Sequence, residues 1–471
     1  MTEPATPAPT GPLAGVRVLD LSRVLAGPWC TQVLGDLGAE VIKVEQPGQG
    51  DDTRRWGPPF LPDGSRDSAY YLCANRNKRS VAINLSDPEG AALIRQLVAN
   101  ADVVVENFRV GGLAKYGLDY PSLRALKPDL VYCSITGFGQ TGPRAHEAGY
   151  DFVAQGMSGL MSLTGEPQGH PVKMGISISD LATGVWAANG VQAALLMRAR
   201  TGPRQGLGQQ VDMSLLDCGV GVLANQAMNH LLGGMVPHRL GNAHPNIVPY
   251  QVFPASDGHF IIACGNDRQF QALCTMLGLA EDAANPDYAS NAGRVAHREA
   301  LCARIAEVTA ARPKADLIAA MEAAGIPGGP INDVAEALAE PQIAARGVKI
   351  APEGVAGLRT PIVFSRSDLA LEKASPALLE PIMKVEIEVP EDFTGHVISD
   401  LRGRRGRVLG MAPRLGLQVV DSEVPLAEMV GYATALRSST QGRASYSMEF
   451  SHYGEVPSNV SQMVVEGRMK K

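Results

Sequence analysis

The chain lacks the short motifs of the commoner catalytic folds. HExxH, GxSxG and GxxxxGK[ST] are absent, and no kinase-type set is present. Metal-assisted hydrolysis, the nucleophile elbow and P-loop nucleotide hydrolysis therefore have no sequence cue. Cysteine is scarce and scattered. Its seven residues (Cys30, Cys73, Cys133, Cys218, Cys264, Cys274, Cys302) form no CxxC pair and no His/Cys cluster at ligand spacing. That excludes a disulfide framework and a zinc module, leaves no metal expected, and points to reduced thiols in the cytoplasm. Every cysteine and all three tryptophans lie at or before Cys302, which suggests a composite chain. No apolar run of about 18 residues exists, so no membrane span is expected. Nor is there a basic excess: 42 Lys and Arg face 48 Asp and Glu, a net charge of −6 that argues against a polyanion-wrapping protein. Residues 1–12, MTEPATPAPTGP, have neither a basic nor an apolar leader region and read as a disordered arm rich in proline.

What is present is a soluble-type composition, 45% hydrophobic and 19% charged over 471 residues, enough for two or three domains. Val16–Leu21 and Val41–Glu45 are strand-length apolar runs, with a helix from Thr31 to Leu37 ended by Gly38. They make a βαβ unit, the building block of a parallel, doubly wound sheet. The turn between them, Ala26-Gly27-Pro28, lacks GxGxxG, so dinucleotide binding is not supported. The loop from Gln46 to Pro59 carries Arg54, Arg55 and Trp56, either as a solvated surface or as a ligand loop after a strand. Asn75 to Arg79 is a compact basic cluster ahead of a strand Val81–Leu85. Such a run is usually a solvated face; the alternative is that with Lys115 it cradles phosphates of a nucleotide-like ligand. Ser86-Asp87-Pro88-Glu89 starts a helix to about Ala99, and strands follow at Asp102–Glu106 and Leu130–Ile135.

The centre of the chain is Gly149 to Trp186. It opens on Gly149-Tyr150-Asp151 and reaches Asp180 at the head of a helix Leu181–Ala199. Gly156, Gly159, Gly165, Gly169 and Gly175, with Pro167 and Pro171, forbid one long element between. Asp180 at a helix start reads as an N-cap worth ~0.5–2 kcal/mol. Amides there also keep a carboxylate ionised, the form covalent catalysis needs. A turn at Thr201-Gly202-Pro203, a strand at Gln210–Met213 and a single helix Leu215–Leu232 follow. Beyond Tyr250 the pattern changes to a smaller α+β domain over 225–325, with helices at about Asp267–Leu277, Arg298–Ala310 and Ala315–Ala324.

Over residues 12–370 the chain resembles the class III CoA-transferases, the group that includes the α-methylacyl-CoA racemases. The resemblance is carried by LDLSRVLAGPWCTQVLGDLGAEVIKVE, GDDTRRWGP, ANRNKRSVAINL, VVVENFRVGGLAKYGL, SITGFGQTGP, GYDFVAQGMSGLM, ISDLATG and VPYQVFPASDGHFIIACGNDRQF. Within the family the segments SITGFGQTGP, AGYD, SGLM, DLATG and IVPYQ look most like the succinyl-CoA:glutarate CoA-transferases. The resemblance implies a Rossmann-like large domain over 13–210 and 330–371, with the smaller α+β domain inserted. It implies that Asp180 attacks an acyl-CoA thioester to form an anhydride, and that an aspartyl-CoA thioester follows. Racemases carry histidine thirty residues before the aspartate; here the residue is Tyr150, a poor base with a reference pKa of about 10. Transfer is therefore favoured over α-methylacyl-CoA epimerisation. Matching motifs assign coenzyme A contacts to Val24, Ala26, Lys78, Arg79, Asn107, Phe108 and Lys115, and make Arg54, Arg55 and His244 candidates for a distal carboxylate. Leu25 departs from the formyl-CoA transferases, which have glutamine there, so a larger dicarboxylate is expected. No cofactor beyond coenzyme A is implied, and the family forms interlocked homodimers.

From about Glu372 the resemblance changes to the C-terminal (fifth) domain of elongation factor G, over 380–460. The residues read as strand Lys384–Val389, helix Asp392–Arg404, strands Arg407–Ala412 and Gln418–Val424, helix Leu426–Ser438 and strand Ala444–Ser451. That is one ferredoxin-like βαββαβ domain. The two resemblances imply a composite chain, which a gene fusion, an assembly artefact or a constructed chimera would equally give, with the transferase family's own closing segment missing. A ribosome- or RNA-contacting module is the rival function for this part.

Overall fold

The structure is a computed structural model that describes residues 11–62, 67–200, 205–370, 378–414 and 416–456. Residues 1–10 of the expected arm, the turn at Thr201-Gly202-Pro203 and the junction at Glu372 lie outside the described residues. Two compact units divide the chain: residues 1–136, 184–213 and 350–471 form the first, and 137–183 with 214–349 the second.

In the first unit, strands β1 (Arg17–Asp20), β2 (Glu40–Glu45), β3 (Lys78–Ala82), β4 (Val103–Glu106) and β5 (Val131–Thr136) lie in the order β3-β2-β1-β4-β5, with β6 (Gln210–Ser214) beside β5. The pairings β2–β3, β1–β2, β1–β4 and β4–β5 are parallel. This order reverses direction at β1, as doubly wound sheets do. The helix Pro88–Ala99 is capped by Asp87, which accepts the Glu89 N–H, and has proline at its first position. It buries Ala91, Ile94, Leu97 and Val98 against Leu19, Val81 and Val104.

Two local expectations are corrected. The first helix runs Ala26–Asp36, so Ala26-Gly27-Pro28 is its first turn and not a connecting turn. Proline needs no N–H partner there, which is why it fits. Strand β3 begins at Lys78, so the basic cluster runs into the sheet instead of lying ahead of it.

In the second unit, β7 (Tyr250–Ala255) and β8 (Gly258–Ala263) form a hairpin, and β9 (Gly328–Pro330) pairs antiparallel with β8. Helices Asp267–Leu277, Arg298–Thr309 and Lys314–Ala323 pack Phe270, Leu273, Leu301, Ile305 and Leu317 against Phe253 and Phe260. The single helix expected from Leu215 to Leu232 is two, Leu215–Gly221 and Ala224–Gly233. Gly219 and Gly221 weaken the helix near the break, and Ala224 sits at φ +45°.

Two short strands, β10 (Lys349–Ile350) and β11 (Gly357–Leu358), pair with each other. The C-terminal part then has β12 (Leu378–Val389), a helix Thr394–Gly403, β13 (Arg407–Arg414), β14 (Leu417–Pro425), a helix Tyr432–Ser439 and β15 (Ser445–Glu455). Its antiparallel sheet is ordered β15-β12-β14-β13, with a core of Met383, Val385, Ile387, Val397, Leu401, Val420 and Leu436. The six elements follow the expected βαββαβ sequence. The backbone of β12 does more than open this sheet: Leu378 and Leu379 pair parallel with Ser80 and Val81, covering the outer edge of β3. Leu426 packs against the cores of both parts.

Candidate functional site

In the second unit, the polypeptide comes back on itself around Asp180. The helix Ile178–Ala199 starts two residues before it, so Asp180 stands in the first turn and is not the cap. Asp151 does the capping instead, from the far side of the glycine-rich segment. Its Oδ1 accepts the N–H of Ser179 at 2.8 Å and of Asp180 at 3.3 Å. Asp151 itself opens a short helix, Asp151–Met157, with Tyr150 at the N-cap position. One turn on, the buried Gln155 donates through Nε2 to Asp151 Oδ2 at 2.7 Å and to the Ile176 carbonyl at 3.3 Å. Its Oε1 accepts the Met174 N–H at 2.9 Å.

The consequence is electrostatic. Burial, and then the neighbouring Asp151 charge, push the Asp180 carboxyl up to about 7. No cation among the described residues counters them. Asp180 is thus a carboxylate stripped of the stabilisation that a salt bridge would give. Tyr150 is 66% exposed, and its side chain does not cap its own helix. Its phenol is free to donate to an incoming carbonyl or carboxylate. His244 belongs to the same unit. Its ring packs 5.1 Å from that of Tyr250, and Nδ1 accepts the Asn246 N–H at 3.1 Å. Partial burial, then the Arg298 charge, hold its pKa below the usual histidine range, so it is neutral at pH 7.

In the first unit, another group of sequence candidates gathers at the ends of β1 and β4. The Asn107 side chain clamps the Arg23 backbone from both sides: Oδ1 accepts its N–H at 2.9 Å, and Nδ2 donates to its carbonyl at 2.7 Å. The Arg23 guanidinium lies 5.6 Å from the Phe108 ring centre. Glu106 at the end of β4 accepts the Phe108 N–H at 2.8 Å. Next to Arg23, Val24 has φ +72°, a conformation that a β-branched residue adopts only under strain. Val24, Asn107 and Phe108 are therefore brought together, with Ala26 buried at the helix start behind them. Lys115 extends over the Tyr116 ring at 4.7 Å.

The remaining candidates are engaged within the protein. Lys78 is fully buried, its amine 3.2 Å from Asp20 Oδ2, 2.9 Å from the Pro28 carbonyl and 2.9 Å from Asn75 Oδ1. Desolvation prevails over these partners and lowers its pKa to about 8. Arg79 is exposed and pairs with Glu40 at 3.2 Å. Arg54 spends its donors on Glu45 (two contacts at 2.7 Å), Asp67 (2.7 Å) and the Tyr71 hydroxyl (2.6 Å). All of these partners are groups of the protein itself. Arg55 is exposed, 3.9 Å from Asp52.

Sequence reading missed Asp151 and Gln155. Their spacing of four in GYDFVAQG puts both on one face of a short helix, but only the fold shows what that face meets. Among the described residues, no group of three or more His, Cys, Asp or Glu side chains could hold a metal. No helix there is long and apolar enough to cross a membrane.

The fold is of the α/β class, and comparison with known proteins gives the family. Residues 13–380 match CoA-transferase family III, and the chain belongs to that family. It is a CoA-transferase, an enzyme acting on CoA thioesters. Residues 377–464 match the elongation factor G C-terminus. A succinate–glutarate CoA-transferase of Agrobacterium fabrum is 52% identical over 386 residues, covering 80% of this chain and 96% of its own. The succinyl-CoA:glutarate CoA-transferase of Mus musculus is 46% identical, with 72% and 76% covered. A solved CAIB/BAIF family protein from Brucella suis superposes with TM-score 0.70 at 56% identity, over 78% of this chain and 97% of that one.

Proposed function

We propose that the enzyme moves CoA from succinyl-CoA to a dicarboxylate such as glutarate, with Asp180 as the covalent nucleophile. The observation that carries this reading is the setting of Asp180: first turn of a helix, beside Asp151, with no compensating cation among the described residues and a pKa of about 7. A carboxylate that solvent and cations stabilise poorly is a better nucleophile when ionised. An Asp180 oxygen attacks the thioester carbonyl, the C–S bond breaks and CoA leaves as thiolate. The thiolate attacks the aspartyl carbonyl of the anhydride and releases succinate, leaving an aspartyl-CoA thioester. The acceptor carboxylate attacks that thioester, and the returning thiolate takes the new acyl group and frees Asp180. Each step passes the activation on, from succinyl to the aspartyl carbonyl to the acceptor acyl group, so no nucleotide is consumed. Tyr150 donates a hydrogen bond to the carbonyl or carboxylate oxygen as charge develops on it.

Coenzyme A would contact Val24, Ala26, Asn107, Phe108, Arg79 and Lys115. Lys78 supports the loop from behind, and Arg55 and His244 remain as candidates for the distal carboxylate. The names of the relatives at 52% and 46% identity support the donor and acceptor. The test is exchange between succinyl-CoA and glutarate, followed as glutaryl-CoA, with hydroxylamine added to trap an acyl-aspartate. Full exchange activity in Asp180→Ala would sink the mechanism. Deuterium incorporation at C2 of a 2-methylacyl-CoA, without CoA transfer, would select the epimerase reading.

The active form is proposed to be a homodimer in the cytoplasm. The helix Ala224–Gly233 buries none of its residues in the single chain, and Leu232 is 82% exposed. Leu231, Met235 and Val236 stand equally open. Apolar surface so concentrated marks a protein contact. All seven cysteines are free thiols, as a reducing compartment keeps them. A stable, active monomer in light scattering would count against the dimer.

A further inference from the structure

We propose that Asp151 and Gln155 are positioning residues for the transfer: together they fix where the Asp180 carboxylate sits, and Asp151 sets how readily it ionises. The proposal rests on Asp180 being the nucleophile, and goes beyond it to two residues that touch neither substrate nor reacting atom.

The geometry is a bracket. Asp151 holds the amides of Ser179 and Asp180, the two positions that determine where the first turn begins. Gln155 holds Asp151 from its other oxygen, and grips the backbone of Met174 and Ile176 in the irregular approach to the same turn. Both residues are buried and lie one turn apart on a helix whose N-cap is Tyr150. Tyr150 and Asp180 are thirty residues apart in sequence, yet each is fixed to the same rigid group. A capping residue need not be charged, since serine, threonine or asparagine serve as well. Here the cap is an acid, although it faces a second acid. The charged group bearing on Asp180 is Asp151, while Gln155 is neutral. A structural cap would be cheaper as asparagine. An aspartate adds a repulsion that keeps the neighbour basic enough to attack a thioester.

The two residues should fail differently. Gln155→Leu removes the grip without changing charge. Exchange kcat should fall about 10- to 100-fold, as a small misplacement of a reacting group costs, with KM for succinyl-CoA little changed and the pH dependence unmoved. Asp151→Asn keeps an acceptor oxygen for the two amides but removes the charge, and with it the acceptor of the Gln155 Nε2 hydrogen bond. Its pH–rate profile should shift its acid limb to lower pH, and kcat at pH 8 should fall as Asp180 loses basicity. Melting curves for both variants report whether they fold; if Asp151→Asn does not, the kcat-against-KM split in Gln155→Leu decides the positioning half alone. The idea is overturned if Gln155→Leu keeps kcat and, in a folded Asp151→Asn, the acid limb stays in place. Active Asp180→Ala would instead remove the nucleophile reading, so the two failures are distinct.

Discussion

Two buried strand-end acids of the first unit and one acid of the second are treated in opposite ways. In the first, three neighbouring strands each end on a buried acid: Asp20 on β1, Glu45 on β2 and Glu106 on β4. For two of them the chain supplies cations. Burial alone would raise Asp20, but Lys78 and Lys43 hold its pKa below the usual carboxylate range. Glu45 is likewise brought down to about 2 by Arg54 and Lys43 in spite of its burial. Lys43 is itself fully enclosed, 3.0 Å from Asp51 Oδ2 and 2.8 Å from the Ser22 carbonyl. In the second unit, Asp180 receives no cation and a second acid instead. Charge is neutralised at Asp20 and Glu45, and left unneutralised at the proposed nucleophile. The contrast separates scaffold carboxylates from a reactive one more sharply than burial does.

The largest effect expected from breaking the contrast is at Asp180. Removing the nucleophile in Asp180→Ala should lower CoA exchange about a thousand-fold or more, because no neighbouring group forms the anhydride. Mass spectrometry of enzyme incubated with succinyl-CoA should show the adduct in the wild type and not in the variant. Next in size is the neutralised network. Lys78→Met leaves Asp20 with one buried cation in place of two, and Asp20→Asn leaves Lys78 and Lys43 without their shared partner. Breaking one side of a buried pair typically costs ~3–5 kcal/mol. Urea unfolding at pH 7 should show a loss of that order. Arg54→Met should likewise destabilise through Glu45 and Asp67 while leaving the KM for glutarate alone; a selective rise in that KM would return Arg54 to the substrate site.

Much of this arrangement was legible in the sequence, and the rest was hidden for physical reasons. Helices Pro88–Ala99 and Asp267–Leu277 fall where periodicity and a cap residue put them, since Asp87 and Asn266 act locally. The six C-terminal elements come in the expected order, although the helix expected over Leu426–Ser438 is a 3-10 turn at Leu426–Met429 followed by a helix that starts at Tyr432. Lys78 reads from the sequence as a solvated or coenzyme A-binding cation and not as a buried strand residue, because the partner that makes its burial tolerable, Asp20, lies 58 positions away. Asp180 looked like its own cap because the true cap, Asp151, is 29 positions earlier. Long-range partners of polar groups are what a linear reading cannot supply. The covering of β3 by β12 is of the same kind: the C-terminal resemblance was plain, its pairing with the sheet edge was not.

A smaller effect concerns stability and again turns on Asp180. Its pKa in the folded enzyme is raised above the unfolded value, so the associated stability is complete below about pH 4 and is lost as pH rises through about 7. Asp180→Asn does not titrate. It should match the wild type near pH 4 and exceed it at pH 8, by about 1 kcal/mol, the usual gain when a functional site gives up its strain. A difference that grew toward acid would contradict the raised pKa.

The smallest effect tests whether Glu106 belongs with the scaffold acids or with Asp180. Burial raises its carboxyl to about 7, while the Ser134 hydroxyl and the Phe108 N–H, both donating to it, only partly oppose the rise. It thus shares its strand-end position with Asp20 and Glu45 but its electrostatics with Asp180. Nothing in the proposed reaction uses it, and its hydrogen bond to Phe108 shapes the segment assigned to coenzyme A. Glu106→Gln retains an acceptor for that N–H and removes the titration. Its stability should equal the wild type's near pH 4 and exceed it modestly at pH 8, the sign following from the raised folded pKa. Exchange kcat should be unchanged at every pH, with at most a two- to three-fold change, on the order of 0.5 kcal/mol, in KM for succinyl-CoA. A shift of the acid limb of kcat in this variant would mean that the limb near pH 7 belongs partly to Glu106. The division between neutralised scaffold and bare nucleophile would then have to be redrawn to include the end of β4.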